Sequence, residues 1–139
     1  MIWILDTEGR FTFSNRHAQE KSGYSLPELM GQSFTTLLPA DDLPRIWPLF
    51  QSVLKGEAQS SNLDYYKKDT SKATLSVNIA PVFTNGEISG TVSFGRDITE
   101  SIKIEEALSF HNQILLNLSE GIYLIRASDG VIVYTNQQF

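Results

Sequence analysis

A pattern near the start of the chain returns near its end. Ile2-Trp3-Ile4-Leu5-Asp6, the turn Thr7-Glu8-Gly9 and Phe11-Thr12-Phe13-Ser14-Asn15 form the first copy. Ile122-Tyr123-Leu124-Ile125, the loop Ala127-Ser128-Asp129-Gly130 and Ile132-Val133-Tyr134-Thr135-Asn136 form the second. Gly9 matches Gly130, Asn15 matches Asn136, and the flanking apolar and aromatic positions match in kind, with one extra loop residue in the second copy. Solenoid repeats recur about every 20–50 residues, and this return comes much later, so the pattern points to tandem domains. The chain then reads as one whole domain followed by the first hairpin of another. Any two alternating strands around a glycine resemble each other to some degree, so the residues between the copies must carry the argument.

The length suits one domain, since domains commonly run to about 100–150 residues. With 41% hydrophobic and 19% charged residues, the composition is that of a globular protein with a real core. A net charge of −5 argues against a nucleic-acid partner, which calls for a basic face. There is no cysteine, so disulfides, thiolate nucleophiles and thiolate metal sites are excluded. No apolar run approaches the roughly 20 residues of a membrane span, and Met1 leads directly into a strand pattern rather than a signal peptide. A cytoplasmic location is the expectation.

Ile2 to Asp6 and Phe11 to Asn15 predict a hairpin. A helix follows from Asn15 to Lys21, stopped at Ser22-Gly23. Ser25 and Glu28 have the spacing of a capping box for a short helix ending at Gly31. Asp41-Asp42 suits the positive end of a helix running to about Lys55, with Gly56 as its stop. Pro48 lies inside that segment, where it deletes a backbone donor, so a kink or an irregular first turn is expected. Strands follow over Asn62 to Lys68, Ala73 to Phe83 and Ile88 to Arg96, the last two joined at Asn85-Gly86. Asp97-Ile98-Thr99-Glu100 opens a helix of some twenty residues, reaching about Leu118.

In that order the landmarks resemble those of a PAS domain. Arg96-Asp97-Ile98-Thr99-Glu100, followed by Glu105-Glu106-Ala107-Leu108, is similar to the exit of such a domain into its signalling helix. Asn15, Ala18, Gly23-Tyr24-Ser25, Glu28-Leu29, Gly31, Asp41-Asp42, Lys67-Lys68-Asp69 and Ala80-Pro81-Val82 match further landmarks. The likeness covers Ile2 to Leu118, and Glu120 to Phe139 resembles the opening of a second PAS domain. It implies an α+β fold: a five-stranded antiparallel sheet, short helices on one face and a long C-terminal helix. The division would be 1–97 sensory domain, 98–119 signalling helix and 120–139 first hairpin of a truncated second domain. The implied function is a non-catalytic sensory or relay module feeding a downstream output domain such as a histidine kinase. The alternative is a ligand-free homotypic dimerisation module.

The resemblance also frames the ligand. Relatives that form a cysteinyl flavin adduct or hold a chromophore covalently need a cysteine, so both chemistries are excluded. Haem-binding relatives take a histidine from the helix before the meander, and none lies between Phe34 and Gly56. His17 and His111 stand elsewhere, without partners at metal-ligand spacing. Non-covalent flavin stays open, with Trp47 available to stack. Positions matching Tyr65, Leu75 and Gly95 face the ligand in flavin-binding relatives, and two of these three lack polar side chains, which favours a small apolar or weakly polar ligand, or none. The pocket is expected between the helices and the inner face of the sheet. Phe34, Leu38, Ile46, Trp47 and Phe50 would line it from the helices, with Leu5, Tyr65, Leu75, Val77, Ser93 and Gly95 from the strands. Asp97 and Thr99 would form the signal junction.

Catalytic constellations are missing. Asp41-Asp42 and Glu105-Glu106 are adjacent helix residues that point in different directions, Glu8-Gly9-Arg10 is a turn, and no phosphate-binding glycine loop occurs. On the exit helix Ile104, Leu108, His111, Leu115 and Leu118 recur at three- and four-residue steps, a seam for a parallel homodimer. His111 is its polar member, so protonation of facing histidines would loosen it. If Thr91, Ser93 and Gly95 face inward, Ile2, Ile4, Val92 and Phe94 lie bare on the outer face of the sheet. The Glu120 to Phe139 hairpin, marginal alone, is expected to pack on a sheet face or open edge, most simply a partner chain's.

Overall fold

The first alternating segments do form a hairpin, and its leading strand lies inside the sheet. In the computed structural model, which describes residues 1–117, 120–136 and 138, the chain divides into two units, Met1–Thr99 and Glu100–Phe139. The first unit carries β1 (Ile2–Asp6), β2 (Phe11–Ser14), β3 (Gln59–Tyr66), β4 (Lys72–Thr84) and β5 (Glu87–Asp97). Their order is β2-β1-β5-β4-β3, every neighbouring pair antiparallel. The first strand of the domain thus pairs with the last, Ile2 opposite Phe94 and Asp6 opposite Gly90. Asn85 and Gly86 both take positive φ, 53° and 83°, as a tight β4–β5 hairpin requires.

Alternation sorts the two faces of the sheet. Leu5, Leu63, Tyr65, Leu75, Val77, Thr91 and Ser93 are buried on the inner face, and Gly95 is buried with them. On the outer face Ile2, Ile4 and Val92 are half-buried, while Phe94 is exposed. The orientation expected from the last strand is the one observed.

Helices cover the inner face. In α1 (Arg16–Ser22), Asn15 Oδ1 accepts from the Ala18 backbone at 3.0 Å, and Gly23 ends the helix at φ 81°. The next helix, α2 (Leu26–Leu29), follows Ser25, whose backbone N–H donates to Glu28 Oε2 at 2.8 Å, the reach-back half of the expected capping box. Two 3₁₀ turns, Phe34–Leu37 and Ala40–Asp42, lead to α3 (Leu43–Leu54). The Ala40–Asp42 turn stands ahead of α3 and is separate from the kink or irregular first turn expected within it. Pro44 sits harmlessly in the first turn and Pro48 inside the helix, where it deletes the bond to the Pro44 carbonyl. Ile46, Phe50 and Val53 bury one stripe of α3 at four- and three-residue steps.

In the second unit α4 (Thr99–Asn117) is followed by β6 (Tyr123–Ile125) and β7 (Ile132–Thr135). This hairpin repeats the internal geometry of the first. Trp3, Ile4 and Leu5 pair with Ser14, Phe13 and Phe11, the register shifting after Ile4. Tyr123, Leu124 and Ile125 pair with Thr135, Tyr134 and Ile132, with the same shift after Leu124. Asn15 Oδ1 accepts from Ile2 N at 3.0 Å, and Asn136 Oδ1 from Ile122 N at 2.9 Å. Gly9 and Gly130 both sit at positive φ in the turn. The likeness read from residue types extends to the bulge and to the asparagine that ties it shut.

Candidate ligand pocket and signalling junction

Packing of the helices on the sheet leaves a cavity of about 80 Å³ between them. Leu5, Phe34, Leu38, Ile46, Phe50, Tyr65, Leu75, Val77 and Ser93, all expected from the sequence, line this one space. Two expected residues do not. Trp47 is 38% exposed and lies behind Phe34, its ring nearly parallel at 5.9 Å. It supports a wall instead of forming one, because an apolar stripe of three residues already fills the inward face of α3. Gly95 is inward and buried, but the Trp3 ring covers it: a Cβ there would stand 2.7 Å from Trp3 Cζ3. Trp3 therefore takes the lining position that Gly95 leaves vacant. Trp3, Leu63 and Thr91 also line the space, and strand alternation from Leu5, Tyr65 and Ser93 was the signal available for them.

The lining is apolar except for a few hydroxyls, and no Lys, Arg, His, Asp or Glu side chain contributes to it among the described residues. Two hydroxyls matter most. Tyr65 Oη and Thr91 Oγ1 are buried with no hydrogen-bond partner, on residues 4% and 0% exposed. Buried polar groups are nearly always paired, because an unmade bond forfeits the desolvation cost of the group. Burial pushes the Tyr65 phenol up to about 12, with the charges of Asp97 and Asp69 adding to the effect. The phenol therefore keeps its proton and remains a donor.

The junction between the sheet and α4 is closed by hydrogen bonds. Thr99 donates to Asp97 Oδ1 through both its hydroxyl, at 2.6 Å, and its backbone N–H, at 2.9 Å. Thr99 Oγ1 in turn accepts from the backbone of Thr74 at 3.0 Å, and Ile98 N donates to the Thr74 carbonyl at 3.0 Å. The Thr74 hydroxyl donates to Asp64 Oδ1 at 2.6 Å. Asp64 and Thr74 neighbour Tyr65, Ala73 and Leu75, so the tie to α4 runs beside the cavity wall. Burial acts to raise the Asp97 carboxyl, and the Thr99 bonds with the charges of Lys67 and Lys21 outweigh it, leaving it below the usual range.

The PAS fold family matches residues 1–103. The chain belongs to that family. A nitrogen fixation regulatory protein of Klebsiella pneumoniae is 24% identical over 139 aligned residues, covering 95% of this chain and 28% of that protein. The chain thus spans under a third of the length of this relative. Among solved structures, a PAS domain from Colwellia psychrerythraea superposes with a TM-score of 0.66 at 22% identity, covering 71% of this chain and 86% of that one. The PAS-B domain of Drosophila melanogaster Cycle, with bound ethylene glycol, gives 0.64 at 20% identity, covering 69% and 97%. The PAS domain of an HTR-like protein from Haloarcula marismortui gives 0.57 at 26% identity, covering 70% and 80%.

PAS domains are in general non-catalytic sensory modules, and this one carries the expected five-stranded sheet, helical layer and exit helix. Its cavity is well below the roughly 300–1,000 Å³ of sites that enclose drug-sized ligands. Among the described residues no group of three potential ligand side chains is placed to hold a metal, and no helix is long and apolar enough to cross a membrane.

The seam residues Ile104, Leu108, His111 and Leu115 all lie on α4, with Ile104 and Leu108 each 61% exposed; Leu118 lies outside the described residues. Exposed Phe110 and Leu116 fall off that stripe, so the apolar surface of α4 is broader than a two-helix seam.

Proposed function

We propose that this PAS domain is a non-catalytic, cytoplasmic sensory module. A small ligand in its cavity, or a partner, alters the sheet, and the change passes through Asp97 and Thr99 into α4 and on to an output domain such as a histidine kinase. The observation that carries the reading is the clamp in which Thr99 bonds Asp97 and Thr74 together. It ties the first turn of the exit helix to a strand that lines the cavity. The likeness to a regulatory protein of which the chain spans 28% supports an output outside these residues.

A side chain that fills the cavity should imitate occupancy. Ser93→Leu is expected to shift the backbone amide resonances of Thr74 and of Ile98 through Lys103. A response confined to residues around Ser93, with α4 unchanged, refutes transmission through the junction.

A second reading, a homotypic interaction module, is favoured by the apolar outer face and by the exposed apolar residues of α4. The two readings part at the cavity: unpartnered hydroxyls belong with a ligand, a filled core with simple dimerisation. Residues 120–139 are further proposed as the opening hairpin of a second PAS domain, supported by the shared register shift and asparagine tie.

A further inference from the structure

The chemistry of the cavity restricts what it can take. It encloses about 80 Å³, roughly half of the ~150 Å³ that accommodates a benzene molecule. Three to five heavy atoms is therefore the order of size. Its walls offer hydroxyls and hydrocarbon and, among the described residues, no charged side chain. An ion entering it sheds its hydration without compensation, which costs several kcal/mol or more.

The two unpartnered hydroxyls enter at different places along β4: Tyr65 stands opposite Ala73 and Thr91 opposite Pro81. Tyr65 is the one beside the clamp, since its neighbour Asp64 holds Thr74 and Thr74 holds Thr99. Its hydroxyl is protonated and has no acceptor in the protein.

We propose that the ligand is a small, uncharged organic molecule bearing a carbonyl or hydroxyl oxygen, which accepts a hydrogen bond from Tyr65 Oη. The assignment rests on the sensory reading and names its ligand class. No Lys, Arg or His side chain lines the walls among the described residues and the Met1 ammonium donates to the Gly95 carbonyl, which disfavours an anion, while a purely apolar molecule leaves Tyr65 Oη unpaired.

Methyl NMR titration of the full chain tests it with four probes: acetone, propane-1,2-diol, lactate and xenon. Acetone and the diol should shift the Leu75 and Val77 methyls saturably, and lactate should not. Tyr65→Phe should weaken acetone and diol binding at least tenfold while leaving xenon binding unchanged. Binding of lactate, or equal acetone and diol affinities in wild type and Tyr65→Phe, overturns the ligand class or the anchor while the sensory reading stands. No saturable shift with any probe overturns the ligand class together with the cavity-ligand form of the sensory reading, leaving sensing of a partner.

Discussion

At the scale of single residues, the two orphaned hydroxyls and one carboxylate set the testable behaviour. A buried hydroxyl without a partner costs about 1–3 kcal/mol, so Tyr65→Phe is expected to stabilise the ligand-free protein. Thermal unfolding should show a midpoint raised by a few degrees, and a lower midpoint refutes the orphan assignment. Asp97 gives a pH dependence of definite sign. Its carboxyl is lowered in the fold relative to an unfolded value of about 3.9. The junction it holds is therefore intact above about pH 4 and is lost as pH falls through the folded value. The protection of the Thr99 amide against exchange, relative to the intrinsic rate at the same pH, should fall below pH 4 in the wild type. Asp97→Asn, which lacks the titrating group, should exchange faster at neutral pH and show no such acid step. None of these three roles was readable from composition. Asp97 and Thr99 were found because their spacing resembles a family landmark, whereas Thr91 was only one inward position in an alternating strand.

At the scale of elements, the closest fit is the seam between β1 and β5. A Cβ added at Gly90 would lie 2.0 Å from the Leu5 carbonyl oxygen, a backbone atom that cannot swing aside. Gly90→Ala should therefore part the two strands, at a cost at the upper end of the 1–3 kcal/mol seen for overpacking. At Gly95 the obstacle is the Trp3 ring, a side chain, so Gly95→Ala should cost less and displace Trp3 from the cavity wall. Urea denaturation of both variants checks the ranking, and a milder Gly90→Ala contradicts the seam geometry. A second tie joins α2 to the β3–β4 turn. The Lys68 ammonium donates to Glu28, and this bond, with those from Ser25, holds the Glu28 carboxyl down to about 2. The strands and helices were legible to within a few residues, with β3 starting at Gln59 instead of Asn62. The two 3₁₀ turns were not, since Phe34–Leu37 is fixed by local bonds such as Thr36 to Ser33 that no periodicity announces.

At the scale of the whole molecule, the exposed apolar residues of α4 give the proposed association its test. Ile104, Leu108, His111 and Leu115 are a heptad-spaced stripe, and the proposed parallel dimer forms through it. Sedimentation at micromolar concentration should show a dimer that Leu108→Asp dissociates; a wild-type monomer removes the proposal. The β6–β7 hairpin leaves Leu124, Ile125, Ile132 and Val133 about half exposed, where the corresponding β1 edge is paired with β5. Limited proteolysis after residue 119 gives the check. If the hairpin serves only a further domain, its removal should leave the melting of the Met1–Thr99 unit unchanged, and a lowered melting point means that it already has a partner in this chain.

Residue type and spacing are enough to dictate what is local or periodic. Period-two strands, glycine-limited turns and the ordered landmarks of the family follow from residue type and spacing, which act within a few bonds or along one element. What depends on distant residues meeting is settled by packing in three dimensions. Whether Trp47 or Trp3 walls the cavity was set by which ring reached it once β1 lay against β5 and α3 turned its Ile46–Phe50 stripe inward. The size of that cavity, and the fact that Tyr65 and Thr91 find no partner within it, follow from close packing of side chains far apart in sequence.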